Sequence, residues 1–431
     1  MGFSPLVPVH QSFPSRALKD VHAAVGEALA DSRLGAALKP GARVAIAAGS
    51  RGIANIALIT RAVVDHFRRL GCRPFIFPAM GSHGGGTAAG QLDVLAHYGI
   101  TEAAMGCPVL SSLEVVDLGR TPDGLPVFMD RMAFESDAVF LVNRVKWHTT
   151  FDAPIQSGLV KMAAIGLGKL QGATHYHRYA VRLGLGPVIR SVGRHVLQSG
   201  KILGGLAILE DAHHATAKVV ALPAAEIEAG EEKLLAEALS WMPRILFDSV
   251  DILIVDEVGK HISGVGMDSK VVNRHPYGGV NPWSWAPRIL RIYVRDLAPL
   301  SYGNAVGIGM ADMISERLFS KIDWHATRVN ALAASNTAAC RVPLRAQSDR
   351  EALDTLATLV GRDSLADVTC VWIHNTLELS RFLATENLLQ ADLPAGVARA
   401  GDARPWPFDQ TGNLDPSFFE SPQLHPAAQP V

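Results

Sequence analysis

The stretch NRVKWHTTFDAPIQSGLVKMAAIGLGKLQGATHYHR occupies residues 143–178 and follows directly on DAVFLV at residues 137–142. The apolar six-residue run reads as a short buried strand. The stretch after it carries His148, Lys161, Lys169, His175 and His177, set among Gly158, Gly166, Gly168 and Gly172. Chemistry-bearing residues therefore begin where a strand ends, the place where an open α/β sheet binds its ligands.

The same pattern recurs upstream. RVAIAA (43–48) reads as a buried strand and runs into Gly49-Ser50-Arg51-Gly52, with an amphipathic helix expected over 55–70. PFIFP (74–78) is the next strand and ends in Gly81-Ser82-His83-Gly84-Gly85-Gly86. A helix over 87–98 follows, with Thr87 as its N-cap. Strand, glycine-rich loop and helix in alternation imply a parallel sheet covered by helices. An entry strand and a helix over 18–34 precede this unit, and short strands and turns fill 101–135. Downstream, a helix is expected over 182–198, strands over 202–210 and 218–223, and a charged helix over 226–239.

A fresh strand opens at 250–255 (VDILIV) after Pro243–Asp248. The second half is read as a strand at 306–310, helices at 311–321 and 350–360, a strand at 368–373 and a helix at 380–389. The expected fold class is α/β: two α/β domains with mostly parallel sheets and an active-site cleft between them. The expected limits are 1–245 for the domain carrying the catalytic loops, 246–395 for a domain closing over substrate, and 396–431 for an irregular tail wrapping back over the first domain.

With 431 residues the chain is long enough for two or three domains. Its formal net charge of −1 gives no electrostatic footprint for nucleic acid or an acidic membrane. The four cysteines, Cys72, Cys107, Cys340 and Cys370, contain no CxxC pair. They form neither a disulfide framework nor a zinc site, and a reducing cytoplasm fits them. A charged segment followed by an apolar one is missing at the N-terminus, so no signal peptide is expected. No apolar run approaches the roughly 20 residues of a membrane span.

Four clusters can carry chemistry. Arg51 offers a two-pronged cation for a carboxylate or phosphate. His83 lies in a loop before a helix N-terminus, where backbone N–H groups favour an anion, and the loop does not match a P-loop. His148 follows Lys146 and Trp147 and titrates near neutrality, as a general base must. Lys161 and the pair His175 and His177 complete the set. On a strand the two histidines share a face; on a helix they do not. No HEXXH motif or carboxylate companion marks them as a protein-only metal site. A metal-dependent hydrolase built on this pair is one alternative function.

The strings AMGSHGGGTAAGQ (79–91), NRVKWHTTFDAPIQSGLVKMAAIGLGKLQGATHYHR (143–178) and DEVGKHISGVGMD (256–268) resemble the lactate racemase superfamily, the nickel-pincer nucleotide enzymes. That resemblance covers most of 40–390 and is strongest over 40–180. It implies a cofactor that is a pyridinium bisthiocarboxylate mononucleotide holding nickel, attached covalently through Lys161. It places the nickel ligand at His177, with His175 the near alternative, and the proton-exchanging pair at His83 and His148. Arg51 is the implied carboxylate anchor, and Ser50, Gly84 and Gly85 are implied cofactor contacts. Nickel(II) held by two sulfurs, a ring carbon and one imidazole would be square planar, a geometry it accepts readily.

The implied reaction is inversion at C2 of a 2-hydroxy acid by reversible hydride transfer, with cofactor-assembly proteins as partners. Three positions depart from the family pattern. Ala48 stands where an acidic residue is usual, and the substrate-holding glutamine and lysine of the second domain fall near Asn273 and Pro276. Lys260, Lys270 or Arg274 can replace them, and Lys260 and Asn273 are taken as substrate contacts. The polar loop Asn273, Arg274, His275, Tyr277 and Asn281, followed by Trp283 and Trp285, suits a larger hydroxy acid such as a sugar acid. A relative that lacks the cofactor and only binds an anionic small molecule is the second alternative.

Overall fold

Strand β1 (Leu6–Gln11) does not join the strands that follow it in the chain. It pairs antiparallel with β14 (Arg381–Thr385) on one side and with β15 (Val397–Arg399) on the other. The computed structural model describes residues 2–49 and 52–420. Among them the chain divides into two compact units, one of residues 14–242 and one of residues up to 13 together with those from 243 onward.

The expectation that the first domain runs from residue 1 is corrected by this pairing. A buried strand must place its backbone N–H and C=O groups on partners, and those of β1 lie at the far end of the chain. The tail is corrected with it. Residues 397–399 are a strand rather than irregular. Beyond them Leu6 and Arg404 exchange backbone hydrogen bonds at 2.9 and 2.8 Å, and the Trp406 indole donates to the Ser4 carbonyl at 2.9 Å. The tail thus packs on the unit that holds the C-terminal strands.

The unit of residues 14–242 is built on a five-stranded sheet in the order β3-β2-β6-β7-β8. Strands β2 (Arg43–Ala48), β3 (Arg73–Pro78), β6 (Ala138–Arg144) and β7 (Ile202–Glu210) run parallel, and β8 (Thr216–Pro223) runs against β7. Side chains alternate between its two buried faces. Val44, Ile46, Phe140, Val142, Leu206 and Ile208 pack with α1 (Val21–Ser32), α2 (Ile56–Arg69) and α3 (Ala88–His97). Ala45, Ala47, Val139, Leu141, Ala207 and Leu209 face the opposite layer. That layer holds α6 (Leu159–Lys161), α7 (Lys169–Leu183), α8 (Leu185–Leu197) and α9 (Ile227–Ser240), with the hairpin β4 (Val115–Arg120) and β5 (Pro126–Asp130). Two single-turn helices, α4 (Glu102–Met105) and α5 (Arg131–Phe134), fill the connections. Thr87 caps α3, its hydroxyl accepting the Gly90 N–H at 3.0 Å.

The other unit has an eight-stranded sheet in the order β12-β11-β10-β9-β13-β14-β1-β15. Strands β9 (Ser249–Val258), β10 (Arg288–Leu297), β11 (Met313–Ser315), β12 (Leu344–Ala346) and β13 (Cys370–Ile373) are parallel, and the last three in the order are antiparallel. Helices α10 (Glu316–Ser320), α11 (Trp324–Ala333), α12 (Asp349–Ala357) and α13 (Ser417–Glu420) accompany it. Three expectations fail here. The strand placed at 306–310 is a 3-10 turn, and the real strand is β10, whose arginines hide its alternation. Residues 311–321 begin with β11 before α10 starts. Residues 380–389 hold β14 followed by a 3-10 turn at Glu386–Leu389, because pairing between β13 and β1 overrides a helix-compatible sequence.

A buried carboxylate ties this unit together. Asp349 accepts the Tyr293 hydroxyl at 2.5 Å, Arg295 Nε at 2.9 Å and the Leu414 N–H at 2.8 Å. Arg295 also pairs with Asp256 and donates to the Leu414 carbonyl at 2.5 Å. Removing one partner of such a pair leaves an uncompensated charge, so Asp349→Ala is expected to cost about 3–5 kcal/mol. Denaturant unfolding measures this, with earlier proteolysis of the 404–414 segment as the local sign.

Candidate active site

The four parallel strands of the unit of residues 14–242 end on one edge of its sheet, and four loops leave from that edge. Ser50 and Arg51, which come soon after β2 in the sequence, lie outside the described residues. His83, Gly84 and Gly85 follow β3. His148 follows β6, and Lys161 and His177 lie on the helices beyond it.

The His83 loop is held by a buried lysine. Lys169 is 0% exposed, and its ammonium donates to the Pro78 carbonyl at 2.7 Å and to Gln91 Oε1 at 2.6 Å. Asp130, also 0% exposed, lies 3.8 Å away. The Gln91 amide donates in turn to the Met80 and Gly81 carbonyls at 3.3 and 3.0 Å. The cation and the glutamine it orients thus fix the backbone between Pro78 and Gly81, two residues before His83. Lys169 itself sits at φ 53°, a strained conformation for a residue with a Cβ. Burial draws its amine down to about 8, with Asp130 opposing, so it stays a cation at neutral pH. Gly84, at φ 64°, lies against the Gly90 backbone where a Cβ would collide. His83 and Gly85 are exposed and Gly84 is half-buried.

The His148 loop braces itself. The His148 N–H donates to Gln156 Oε1 at 2.7 Å, and the Thr150 N–H donates to His148 Nδ1 at 3.2 Å. A donor on Nδ1 places the neutral ring's proton on Nε2. The Phe151 ring lies 4.5 Å from the imidazole. The chain then returns to the sheet, where the Asn143 amide donates to the Gly158 carbonyl at 2.7 Å.

Helix α6 begins against a buried acid. Glu231 Oε2 accepts the N–H groups of Leu159 and Val160 at 2.5 and 3.1 Å, and Oε1 has no hydrogen-bond partner among the described residues. Gly158, at φ 151°, makes room, since a Cβ there would lie 2.5 Å from that carboxyl. Lys161 ends this turn, and a π-helical stretch, Met162–Gly166, follows it. Such stretches are frequent at functional sites. Burial pushes the Glu231 carboxyl up to about 7.

His175 and His177 lie on α7, so they point to different faces and do not chelate one ion together. Tyr176, fully buried between them, accepts the Phe128 N–H at 3.1 Å and orients the helix. His175 Nδ1 donates to the Gln171 carbonyl at 2.9 Å, with the ring 5.3 Å from Phe128. His177 faces the Lys161 charge. Burial, then that charge, hold its imidazole below the ordinary range and therefore neutral. Among the described residues no group of three His, Cys, Asp or Glu side chains is placed to hold a metal.

The candidate substrate contacts on the other unit are engaged locally. Asn273 is buried and accepts the Trp283 N–H at 3.1 Å, while its amide donates to the Trp283 and Pro287 carbonyls at 3.0 and 2.9 Å. It clamps its own loop. The Lys260 ammonium donates to the Gly264 carbonyl at 2.5 Å and to Asn330 at 2.9 Å.

The sequence pattern assigns no role to Lys169, Glu231, Gln91 or Asp130. Glu231 had a signal. It falls on the buried stripe Ile227, Leu234, Leu235 and Ala238 of α9, where a charge is out of place. His214, in the loop after β7, is likewise without a role in that pattern. Burial and then the Lys146 charge lower the pKa of its ring, and its Nε2 is buried without a hydrogen-bond partner among the described residues.

No protein-family model and no curated protein matches the sequence. Solved structures do match the fold. The lactate racemase apoprotein from Thermoanaerobacterium thermosaccharolyticum aligns with a TM-score of 0.54 at 13% identity, covering 87% of this chain and 99% of that one. A Thermotoga maritima protein solved by a structural genomics consortium aligns with a TM-score of 0.50 at 13% identity, covering 84% of this chain and 90% of the other. The chain therefore has a lactate racemase-like fold. No helix among the described residues is long and apolar enough to cross a membrane.

Two outcomes follow for the buried charges. Lys169→Met strands Asp130 and is expected to destabilise by about 3–5 kcal/mol, with faster amide exchange over residues 79–91. Glu231 binds a proton when folded that the unfolded chain releases between pH 4.5 and about 7. Its contribution is full below that window and fades as pH rises through it, by up to about 3 kcal/mol. Glu231→Gln should flatten this slope, and denaturation at pH 5 and 7 reads the difference.

Proposed function

We propose that this chain is a racemase or epimerase that inverts C2 of a 2-hydroxy acid with a nickel-pincer nucleotide bound through Lys161. The observation that carries the reading is the pairing of Lys161 with His177 on the helices behind the catalytic edge. Acylation needs an amine, and nickel needs a neutral imidazole lone pair. His177 is held below the ordinary imidazole range first by burial, a cause that remains once Lys161 is acylated and its charge is gone. The buried neighbours Leu159, Val160 and Met162 suit an acylated, uncharged lysine. The residues present therefore fit the group.

When bound, the cofactor supplies a hydride acceptor for the hydrogen on C2. The chain's own residues do the remaining work. Arg51 anchors the substrate carboxylate in this reading. His148 and His83, on neighbouring loops, exchange the hydroxyl proton from the two sides of the planar keto acid, each taking it up on a ring lone pair and returning it from the imidazolium, as inversion requires. Ser50, Gly84 and Gly85 are further cofactor contacts. His175, on another face of α7, is the weaker choice of nickel ligand, and a hydrolase built on both histidines loses its ligand pair. The self-contained clamp at Asn273 and the alanine at position 48 favour the second reading, a relative that binds an anionic small molecule without redox chemistry. Sugar acids belong among the trial substrates, because the 273–285 loop is polar and aromatic.

Protein produced together with the cofactor-assembly proteins should carry added mass on the Lys161 peptide. It should also scramble C2 stereochemistry and C2 deuterium in at least one chiral 2-hydroxy acid. Lys161→Ala should lose both adduct and activity. His83→Gln and His148→Gln should keep the adduct and lose about 10²–10⁴ in rate. An unmodified Lys161 after co-production removes this reading. Tight 2-hydroxy-acid binding by the co-produced protein with Lys161 unmodified, and without deuterium exchange, supports the binding-only relative.

A further inference from the structure

At the opposite edge of the same sheet the chain builds a second site that the proposed reaction does not use. Strands β2 and β3 each begin with an arginine, and Arg43 and Arg73 are direct partners in the parallel register. Arg68, from the last turn of α2, joins them around a cavity of about 390 Å³. Like charges placed opposite one another across two strands repel. Yet among the described residues none of the three guanidinium groups has a carboxylate within 4.0 Å. The nearby acids accept from other donors. Asp137 accepts the backbone N–H of Arg43 itself at 2.7 Å, Glu102 accepts the Val109 N–H at 3.1 Å, and Asp65 pairs with Arg61 at 3.0 Å.

Each guanidinium is nonetheless oriented. Arg73 Nε donates to the Gly41 carbonyl at 2.8 Å, Arg68 donates to the Gly106 carbonyl, and Arg43 lies 5.3 Å over the Phe75 ring. A guanidinium has five N–H donors, so these contacts leave donors for a ligand. The rest of the wall is apolar, with Pro74, Phe75, Pro108 and Leu110. Its volume lies at the small end of ligand clefts, about 300–1,000 Å³. Cys72 and Cys107 also line it, and both thiols are buried.

We propose that this cavity is a peripheral binding site for a small organic anion, one phosphate or carboxylate on a flat apolar body, held by Arg43, Arg68 and Arg73. The anion relieves the repulsion between the paired arginines, and the body packs on the proline and phenylalanine wall. The two cysteines report occupancy without taking part. Burial pushes the Cys107 thiol up to about 11, so it is no nucleophile at neutral pH and alkylates slowly.

The test is site-specific alkylation of Cys72 and Cys107 by N-ethylmaleimide, read by peptide mass, in the presence of adenosine monophosphate or benzoate. Adenosine and benzamide are the neutral counterparts. One or both anions should slow labelling while the neutral counterparts do not, and added salt should weaken the effect. Protection by the nucleotide alone identifies a phosphate ligand, and protection by benzoate alone a carboxylate. The double variant Arg68→Gln, Arg73→Gln should weaken protection at least about tenfold. Calorimetric titration of the same anions into parent and variant gives a second readout that does not depend on cysteine accessibility. Equal protection by the neutral counterparts, no effect of either anion, or unchanged affinity in a folded double variant overturns the proposal. The Lys161 adduct and C2 exchange do not enter this test, so it stands or falls apart from the proposed reaction.

Discussion

The arrangement of the candidate site rests on one buried ammonium. Lys169 is out of water entirely, and its charge is balanced by two short hydrogen bonds and by Asp130. Burying a cation is costly unless it is paired and hydrogen-bonded. The partners that satisfy it are the end of β3 and a glutamine on α3 that holds the Met80 and Gly81 carbonyls. The loop bearing His83 is therefore fixed by the same stretch of chain that carries Lys161 and His177. Without that link, a glycine-rich loop with three successive left-handed glycines would have little to define it.

Parallel order does the rest. Because β2, β3, β6 and β7 run the same way, everything that follows a strand arrives at one edge and everything that precedes one gathers at the other. The first edge collects histidines and a lysine backed by buried acids. Arginines and apolar rings collect at the second. The two ends thus differ in chemistry although the sheet between them is apolar. Glu231 shows how the far layer contributes. From α9 it satisfies the first amides of the helix that presents Lys161, and Gly158 exists to let it in.

Local pattern revealed most of the first unit. The runs RVAIAA and PFIFP, each closed by glycines, could only be buried strands, and Thr87 marked the start of α3. The second unit was harder to read. In RILRIYVRDL arginines interrupt the apolar alternation of β10, because Arg295 is neutralised by Asp256 and Asp349 from elsewhere in the chain. RFLAT became a strand only because β1 and β13 flank it. Some candidate residues changed meaning as well. Asn273 looked like a ligand contact in one dimension and is a loop clamp in three, since its amide and carbonyl meet groups ten and more residues away.

By itself the sequence determined the α/β class, the parallel alternation of the first unit, and which strand ends carry histidine, lysine and glycine. Those properties follow from periods of two and of 3.6 residues and from turn chemistry, all of them short-range. Tertiary structure alone decided that β1 and the tail belong with the C-terminal strands, that His175 and His177 part company, and that Lys169 and Glu231 brace the site. The reason is physical. A buried charge or a bare strand edge is tolerated only through partners distant in the chain, and no local pattern says which partners those will be.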